Sequence, residues 1–112
     1  MRNCCRLCFV LLAFISASPF ASTHAQTLSV VDSLNVAGNK LYLSGKYRAA
    51  LTIHSKALQA ALQLAVDERI TETLGLLAQV ELELDMFDSA LSHVRRMLSL
   101  ARKLDNKIHE AD

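Results

Sequence analysis

The most constraining feature of this sequence is an internal repeat. The stretch AGNKLYLSGKYRAALTIHSKAL begins at Ala37, and LAQVELELDMFDSALSHVRRML begins at Leu77. Both stretches follow the order small residue, turn, aromatic residue, small residue, apolar residue. Equivalent positions in the two stretches are separated by the same number of residues, and we call this separation the repeat offset. A fixed period of this kind is typical of chains that stack copies of one supersecondary unit. The equivalent pairs are Gly38 and Ala78, Gly45 and Asp85, Tyr47 and Phe87, Ala50 and Ala90, Leu51 and Leu91, and Leu58 and Leu98.

The repeated positions suit two antiparallel helices joined by a tight turn. Small residues at Gly38 and Ala50, or at Ala78 and Ala90, let the two helices approach closely. Gly45 ends the first helix in the left-handed conformation, which glycine adopts at low cost. An aromatic residue then opens the second helix and fills the wedge between the pair. The positions predicted to make this packing are Gly38, Gly45, Tyr47, Ala50, Ala57, Leu58, Ala78, Phe87, Ala90 and Leu98.

This pattern resembles the tetratricopeptide repeat (TPR), a helix–turn–helix unit that stacks into a superhelix. The first copy matches the family pattern at Gly38, Gly45, Tyr47, Ala50, Ala57 and Leu58. The second departs from it at Asp85 and Met97, and neither copy has the terminal proline. The period is longer than the common one of about 34 residues, which resembles the long-helix subclass of the family. The resemblance implies an all-α fold in which two TPR-type hairpins, at about 31–66 and 68–105, begin a right-handed α-solenoid.

Composition and periodicity favour four helices, at about 29–44, 47–65, 68–84 and 87–104. Leucine and alanine dominate, and no proline follows Pro19. The stretch QVELELD, from Gln79, alternates as a half-buried strand does. We nevertheless predict helix there, because its neighbours are helical and no second strand exists to pair with it. Asp67 and Asp105 are predicted N-caps, and an incomplete fifth helix is expected from near Asn106.

Residues 1–25 have the three parts of a secretory signal peptide. A basic start with Arg2 and Arg6 precedes the apolar run LCFVLLAFISA, and small residues lead to Thr23-His24-Ala25. The run is shorter than the roughly 20 residues that span a bilayer. We therefore predict cleavage after Ala25 and export to the periplasm or the medium. An uncleaved segment that anchors the chain in the membrane is the alternative.

Charge and cysteine content restrict what residues 26–112 can do. All three cysteines, Cys4, Cys5 and Cys8, lie in the predicted signal peptide, so no disulfide framework or cysteine metal site is expected. Without Arg2 and Arg6 the acidic and basic residues nearly balance, which offers no electrostatic case for nucleic-acid binding.

No catalytic or cofactor-binding pattern stands out. Six residues separate Gly38 from Gly45 and Tyr47 follows Lys46, so the spacing of a Walker phosphate loop is not met. Glu81, Asp85 and Asp88 are interpreted as a solvated acidic face. We expect no catalytic site, no cofactor and no metal.

In the TPR family the first helix of each repeat lines a concave groove that holds peptides or proteins. The resemblance therefore nominates a protein-binding groove at Asn35, Asn39, Tyr42, Gln79, Leu82 and Glu83. Amide side chains can hydrogen-bond an extended peptide backbone. Glu72, Gly75 and Gln79 bring no cation to this groove, so we do not expect it to clamp a terminal carboxylate.

The sequence thus predicts an exported TPR protein that acts as a protein–protein interaction scaffold without catalysis. The alternative is the truncated sensory region of a bacterial envelope regulator, a kinase or a DNA-binding protein. The expected partner is a protein or peptide, or the further repeats of a longer parent chain. Leu91 and Leu98 are expected to pack within the second hairpin, leaving Val94, Ala101 and Leu104 uncovered. That exposed stripe would promote self-association.

Overall fold

A computed structural model describes the backbone of residues 20–111 and the side chains of residues 28–109. Four α-helices follow one another: α1 (Phe20–Leu43), α2 (Tyr47–Leu64), α3 (Asp67–Glu83) and α4 (Phe87–Ala111). Short connections join them, so consecutive helices run antiparallel. α1 packs on α2 and α3 packs on α4, which gives two hairpins, while α2 lies against α3 and α1 touches α3. The predicted all-α class and the two antiparallel hairpins are confirmed. The predicted signal peptide lies mostly outside the described residues.

The two hairpins turn by the same hydrogen-bonded geometry. After α1 the amide of Gly45 donates to the Tyr42 carbonyl (3.0 Å), and the amide of Lys46 donates to the Leu41 carbonyl (2.9 Å). After α3 the amides of Asp85 and Met86 make the equivalent bonds, at 3.2 and 2.8 Å. Gly45 (φ 76°) and Asp85 (φ 60°) are both left-handed, as this way of ending a helix requires. The equivalence of the two turns in the sequence is therefore reproduced in the backbone.

The segment with strand-like alternation is helical. Gln79–Glu83 forms the last turn of α3, and Leu84 caps the helix with its amide directed at the carbonyls of Val80 and Glu81. Its alternation does not mark a strand face, because Val80 and Glu81 are buried next to each other while Leu82 is half exposed.

The predicted fifth helix is wrong, because α4 continues without a break to Ala111. Asp105 does not cap a new helix. It lies inside α4, where its carboxylate is 3.6 Å from His109 one turn later. The segment from Arg102 contains no glycine or proline, so nothing in it interrupts helical hydrogen bonding. Asp67 is not an N-cap either. It is the first residue of α3, after Val66, and its carboxylate pairs with Lys103 of α4 at 3.3 Å.

The apolar core lies where the two hairpins meet. Val31 of α1, Ala61 of α2, and Ile70 and Leu74 of α3 form one buried cluster. Partly buried Leu58, Leu64, Met97 and Leu100 pack around it. Since all four helices contribute, the two hairpins share one core.

Most of the predicted packing positions are buried between helices. Ala50, Ala57, Ala78 and Ala90 are almost inaccessible, Gly38 is buried, and Leu58 is half buried. Tyr47 packs on Tyr42 with ring centroids 5.5 Å apart. The second hairpin differs, because Phe87 is 60% and Leu98 46% exposed. The predicted burial of α4 residues is therefore partly wrong. Leu91 was predicted to pack within the second hairpin but is exposed, whereas Val94 and Leu104 were predicted to be uncovered but are half buried.

Candidate interaction surface

The first helices of the two hairpins, α1 and α3, lie side by side and run parallel. Asp32 pairs with Arg69, Asn35 bonds to Thr73, and Gln79 bonds to Tyr42. The sequence separations of these pairs are 37, 38 and 37 residues. A nearly constant separation along two helices indicates that they advance in register. We call the exposed strip between them, from Asp32 and Arg69 to Tyr42 and Glu83, the inter-hairpin surface.

One end of the inter-hairpin surface is a hydrogen-bonded cluster of three predicted groove residues. The Tyr42 hydroxyl donates to Glu83 Oε1 at 3.2 Å and accepts from Gln79 Nε2 at 3.3 Å. Partial burial, followed by the nearby Glu83 carboxylate, raises the pKa of the Tyr42 phenol. The phenol therefore stays protonated at neutral pH and can serve as a donor. The geometry brings together three side chains that the sequence places 37 and 41 residues apart.

The other end of the inter-hairpin surface carries a cation that sequence reasoning missed. Arg69 Nε lies 2.7 Å from Asp32 Oδ1, and Arg69 Nη1 lies 3.6 Å from Glu72 Oε2. The side chains of Asp32 and Glu72 are about half exposed. A guanidinium between two carboxylates has its charge largely neutralised. The only sequence signal for this pair was the opposite charge of two residues on helices expected to be neighbours.

Two more predicted groove residues are accessible, and one is not. Asn39 lines a shallow depression together with Val36, Asp32 and Glu72, and Leu82 is 51% exposed on α3. Asn35 is 4% exposed. The structure therefore places Asn35 beneath the surface, where a partner would not reach it.

Asn35 belongs to a buried polar cluster that joins three helices. Its Nδ2 donates to Thr73 Oγ1 of α3 at 2.9 Å, and its Oδ1 lies 3.3 Å from His54 Nδ1 of α2. Because Oδ1 is an acceptor, we assign the ring proton to Nδ1. His54 is fully buried, and its Nε2 has no hydrogen-bond partner among the described residues. The expectation, from the sequence alone, that His54 lies at a helix surface or boundary is wrong, and burial lowers the pKa of His54.

A second polar cluster joins α3 to α4. Glu81 is 2% exposed, and it accepts a bond from Ser89 Oγ at 2.7 Å and another from His93 Nδ1 at 2.8 Å. The interpretation of Glu81, Asp85 and Asp88 as one solvated acidic face is therefore wrong at Glu81. Asp85 and Asp88 are exposed, as expected.

The second cluster contains serine, histidine and a carboxylate but does not form a nucleophile–base pair. The serine hydroxyl bonds to the carboxylate, whereas a catalytic serine bonds to the histidine that removes its proton. Within residues 28–109 no group of three or more potential metal ligands converges. In the part of the chain with a described backbone, no helix combines the length and hydrophobicity needed to span a bilayer.

Comparisons of the chain with protein-family models, with curated proteins and with solved structures found no match.

Proposed function

We propose that this chain is an exported protein of TPR type that acts as a protein–protein interaction scaffold, without catalytic activity of its own. The observation that supports it most is the parallel placement of α1 and α3, with polar side chains on their shared exposed strip. In a stack of helix hairpins, the first helices line one continuous face. The hairpins then begin a right-handed solenoid, and the inter-hairpin surface is its concave side.

The chemistry of the inter-hairpin surface suits an extended peptide segment. Gln79 and Asn39 offer amide donors and acceptors, and Tyr42 and Glu83 add a phenol and a carboxylate. An extended peptide presents unpaired backbone amides and carbonyls at regular intervals, which such groups can satisfy. Leu82 supplies an exposed apolar contact at the same end of α3. The arginine of this surface, Arg69, is neutralised, so we do not propose a site for a terminal carboxylate.

Photocrosslinking tests the location of binding. A photoreactive amino acid is placed at Leu82 in the protein expressed from its full sequence and exported, with Lys56 on the exposed side of α2 as the matched control. We expect a discrete adduct with another protein at Leu82 and none at Lys56. Replacing Gln79 and Glu83 together with alanine should reduce the Leu82 adduct without changing the helical circular dichroism. Adducts at Lys56 alone, or at neither position, would contradict the proposal.

Export is tested separately by the intact mass of the protein recovered from the envelope fraction or the medium. We propose cleavage between Ala25 and Gln26, from the basic, apolar and small-residue start of the sequence. A cytoplasmic protein that retains Met1–Ala25 would refute export.

A further inference from the structure

One face of α4 is apolar and exposed. Its members are Phe87, Leu91, Leu98 and Ala101, with Ile108 one to two turns further on. They recur three, four or seven positions apart, so they form a stripe along one side of the helix. We call this stripe the α4 face.

The internal repeat shows which residues of α2 are equivalent to the α4 face and what those residues contact. The repeat offset makes Leu98 and Ala101 equivalent to Leu58 and Ala61 of α2. Ala61 belongs to the buried cluster with Ile70 and Leu74 of α3, and Leu58 packs against that cluster. The α2 positions therefore join the first hairpin to the second, and α4 presents the same positions with no helix over them in the described structure.

The same offset identifies a receiving face on α1. Ile70 and Leu77 of α3, which are 5% and 3% exposed, correspond to Val30 and Ala37 of α1. Val30 is 48% exposed and Ala37 is also exposed. Between and beside them lie Ser33 and Lys40. We call the four α1 residues Val30, Ser33, Ala37 and Lys40 the α1 face.

We propose that the α4 face of one copy of this chain binds the α1 face of a second copy, head to tail. The contact continues the packing of α2 on α3 from one molecule to the next. In that packing the start of α2, at Tyr47 and Arg48, lies near Leu84 at the end of α3. The equivalent placement brings Asp88 at the start of α4 towards the end of α1, where Lys40 is exposed. The opposite charges of Asp88 and Lys40 favour this arrangement over one with α4 on α4.

The α1 face is more polar than its counterpart on α3, because Lys40 stands where α3 has Val80. The lysine stem can cover apolar surface while its ammonium group stays in water. The contact between copies is consequently weaker than the contact between hairpins and reverses on dilution. A heterologous contact of this kind is not limited to pairs, so it builds chains or rings.

Disulfide trapping distinguishes the head-to-tail contact from a two-fold contact. In the full chain with Cys4, Cys5 and Cys8 changed to serine, one variant carries Val30→Cys and another carries Ala101→Cys. These positions correspond to Ile70 and Ala61, which share one buried cluster. We expect oxidation of the mixture to give a disulfide-linked dimer, and oxidation of either variant alone to give none. The double variant should give a ladder of oligomers.

Controls make each outcome decisive. A Lys56→Cys variant, with the thiol on the exposed side of α2, should not crosslink to the Val30→Cys variant. Both substitutions at the proposed contact are small and at exposed positions, so the helical circular dichroism should be unchanged. Sedimentation of a Leu98→Glu variant should show a smaller, concentration-independent species. Crosslinking of Ala101→Cys with itself, no crosslinking in the mixture, or sedimentation unchanged by Leu98→Glu would each overturn the proposal.

Discussion

The backbone of α1 comes very close to a side chain of α2 at Gly38, and a single methyl group there tests the packing of the first hairpin. A Cβ at Gly38 would lie 2.5, 2.6 and 2.8 Å from three atoms of the His54 ring. Contacts this short are not tolerated, so the ring or the helix must move. The ring cannot move freely, because His54 is fully buried and bonded to Asn35. Overpacking of this kind costs about 1–3 kcal/mol.

A matched substitution removes the contribution of helix propensity. Gly75 also lies within a helix, and among the described side chains a Cβ there would meet only the sulfur of Met97, at 3.1 Å. Methionine is flexible and can yield by a few tenths of an ångström. Both Gly→Ala changes gain about 1 kcal/mol of helix propensity. The difference in unfolding free energy between the Gly38→Ala and Gly75→Ala variants therefore isolates the His54 contact, at about 1–3 kcal/mol.

Urea denaturation followed by circular dichroism measures this difference. We expect Gly75→Ala to be as stable as the native chain or up to about 1 kcal/mol more stable. Gly38→Ala should be the less stable of the two. In the double variant Gly38→Ala, His54→Ala, the added methyl group has no ring to meet. The unfolding free energy of this double variant should therefore be close to that of the His54→Ala variant. Equal stability of the Gly38→Ala and Gly75→Ala variants would refute the close approach of α1 to His54.

Two further predictions concern burial in the first hairpin. Ala50→Leu should lower the unfolding free energy by about 1–3 kcal/mol, because Ala50 is fully buried. Lys56→Leu, at an exposed position of the same helix, should change it by less than about 0.5 kcal/mol, and equal thermal melts of the two would contradict this. Stability should also fall as the pH drops below about 6.5, because burial lowers the pKa of His54 in the folded state and the unfolded chain then binds more protons. Urea midpoints at mildly alkaline and mildly acidic pH should show a smaller pH dependence for His54→Gln than for the exposed-site control His109→Gln.

The helical architecture could be predicted from the sequence because it depends on local and repeated features. Turn geometry, helix-forming composition and the repeat offset all point to hairpins. Asp85 shows how strongly the repeat constrains the backbone, since it adopts the left-handed conformation that Gly45 adopts at lower cost. The end of α4 could not be predicted in this way. Asp105 and Asn106 resemble a helix start, but a helix stops only where the backbone or competing contacts interrupt it.

The buried polar side chains escaped prediction for a different reason. Glutamate is rarely fully buried and histidine is intermediate in burial, so residue type alone does not predict that His54 and Glu81 are buried. Each is buried with partners that lie on other helices, and the pairing depends on how the helices pack. The repeat aligns His54 with the apolar Val94 of the second copy. An apolar residue at the equivalent position was the available sequence signal that His54 faces a neighbouring helix.

The buried cluster of Asn35, His54 and Thr73 links the packing of the hairpins to the proposed binding face. The bond from Asn35 to Thr73 crosses from the first hairpin to the second, near the middle of α1 and α3. Apolar contacts alone would tolerate a small slide of one helix along the other, whereas a buried amide left without its partner costs about 1–3 kcal/mol. The bond therefore disfavours alternative registers of α1 on α3. Tyr42 meets Gln79 and Glu83 only in the observed register. The buried bond from Asn35 to Thr73, which a partner cannot reach, therefore helps to fix the shape of the inter-hairpin surface, which a partner would contact.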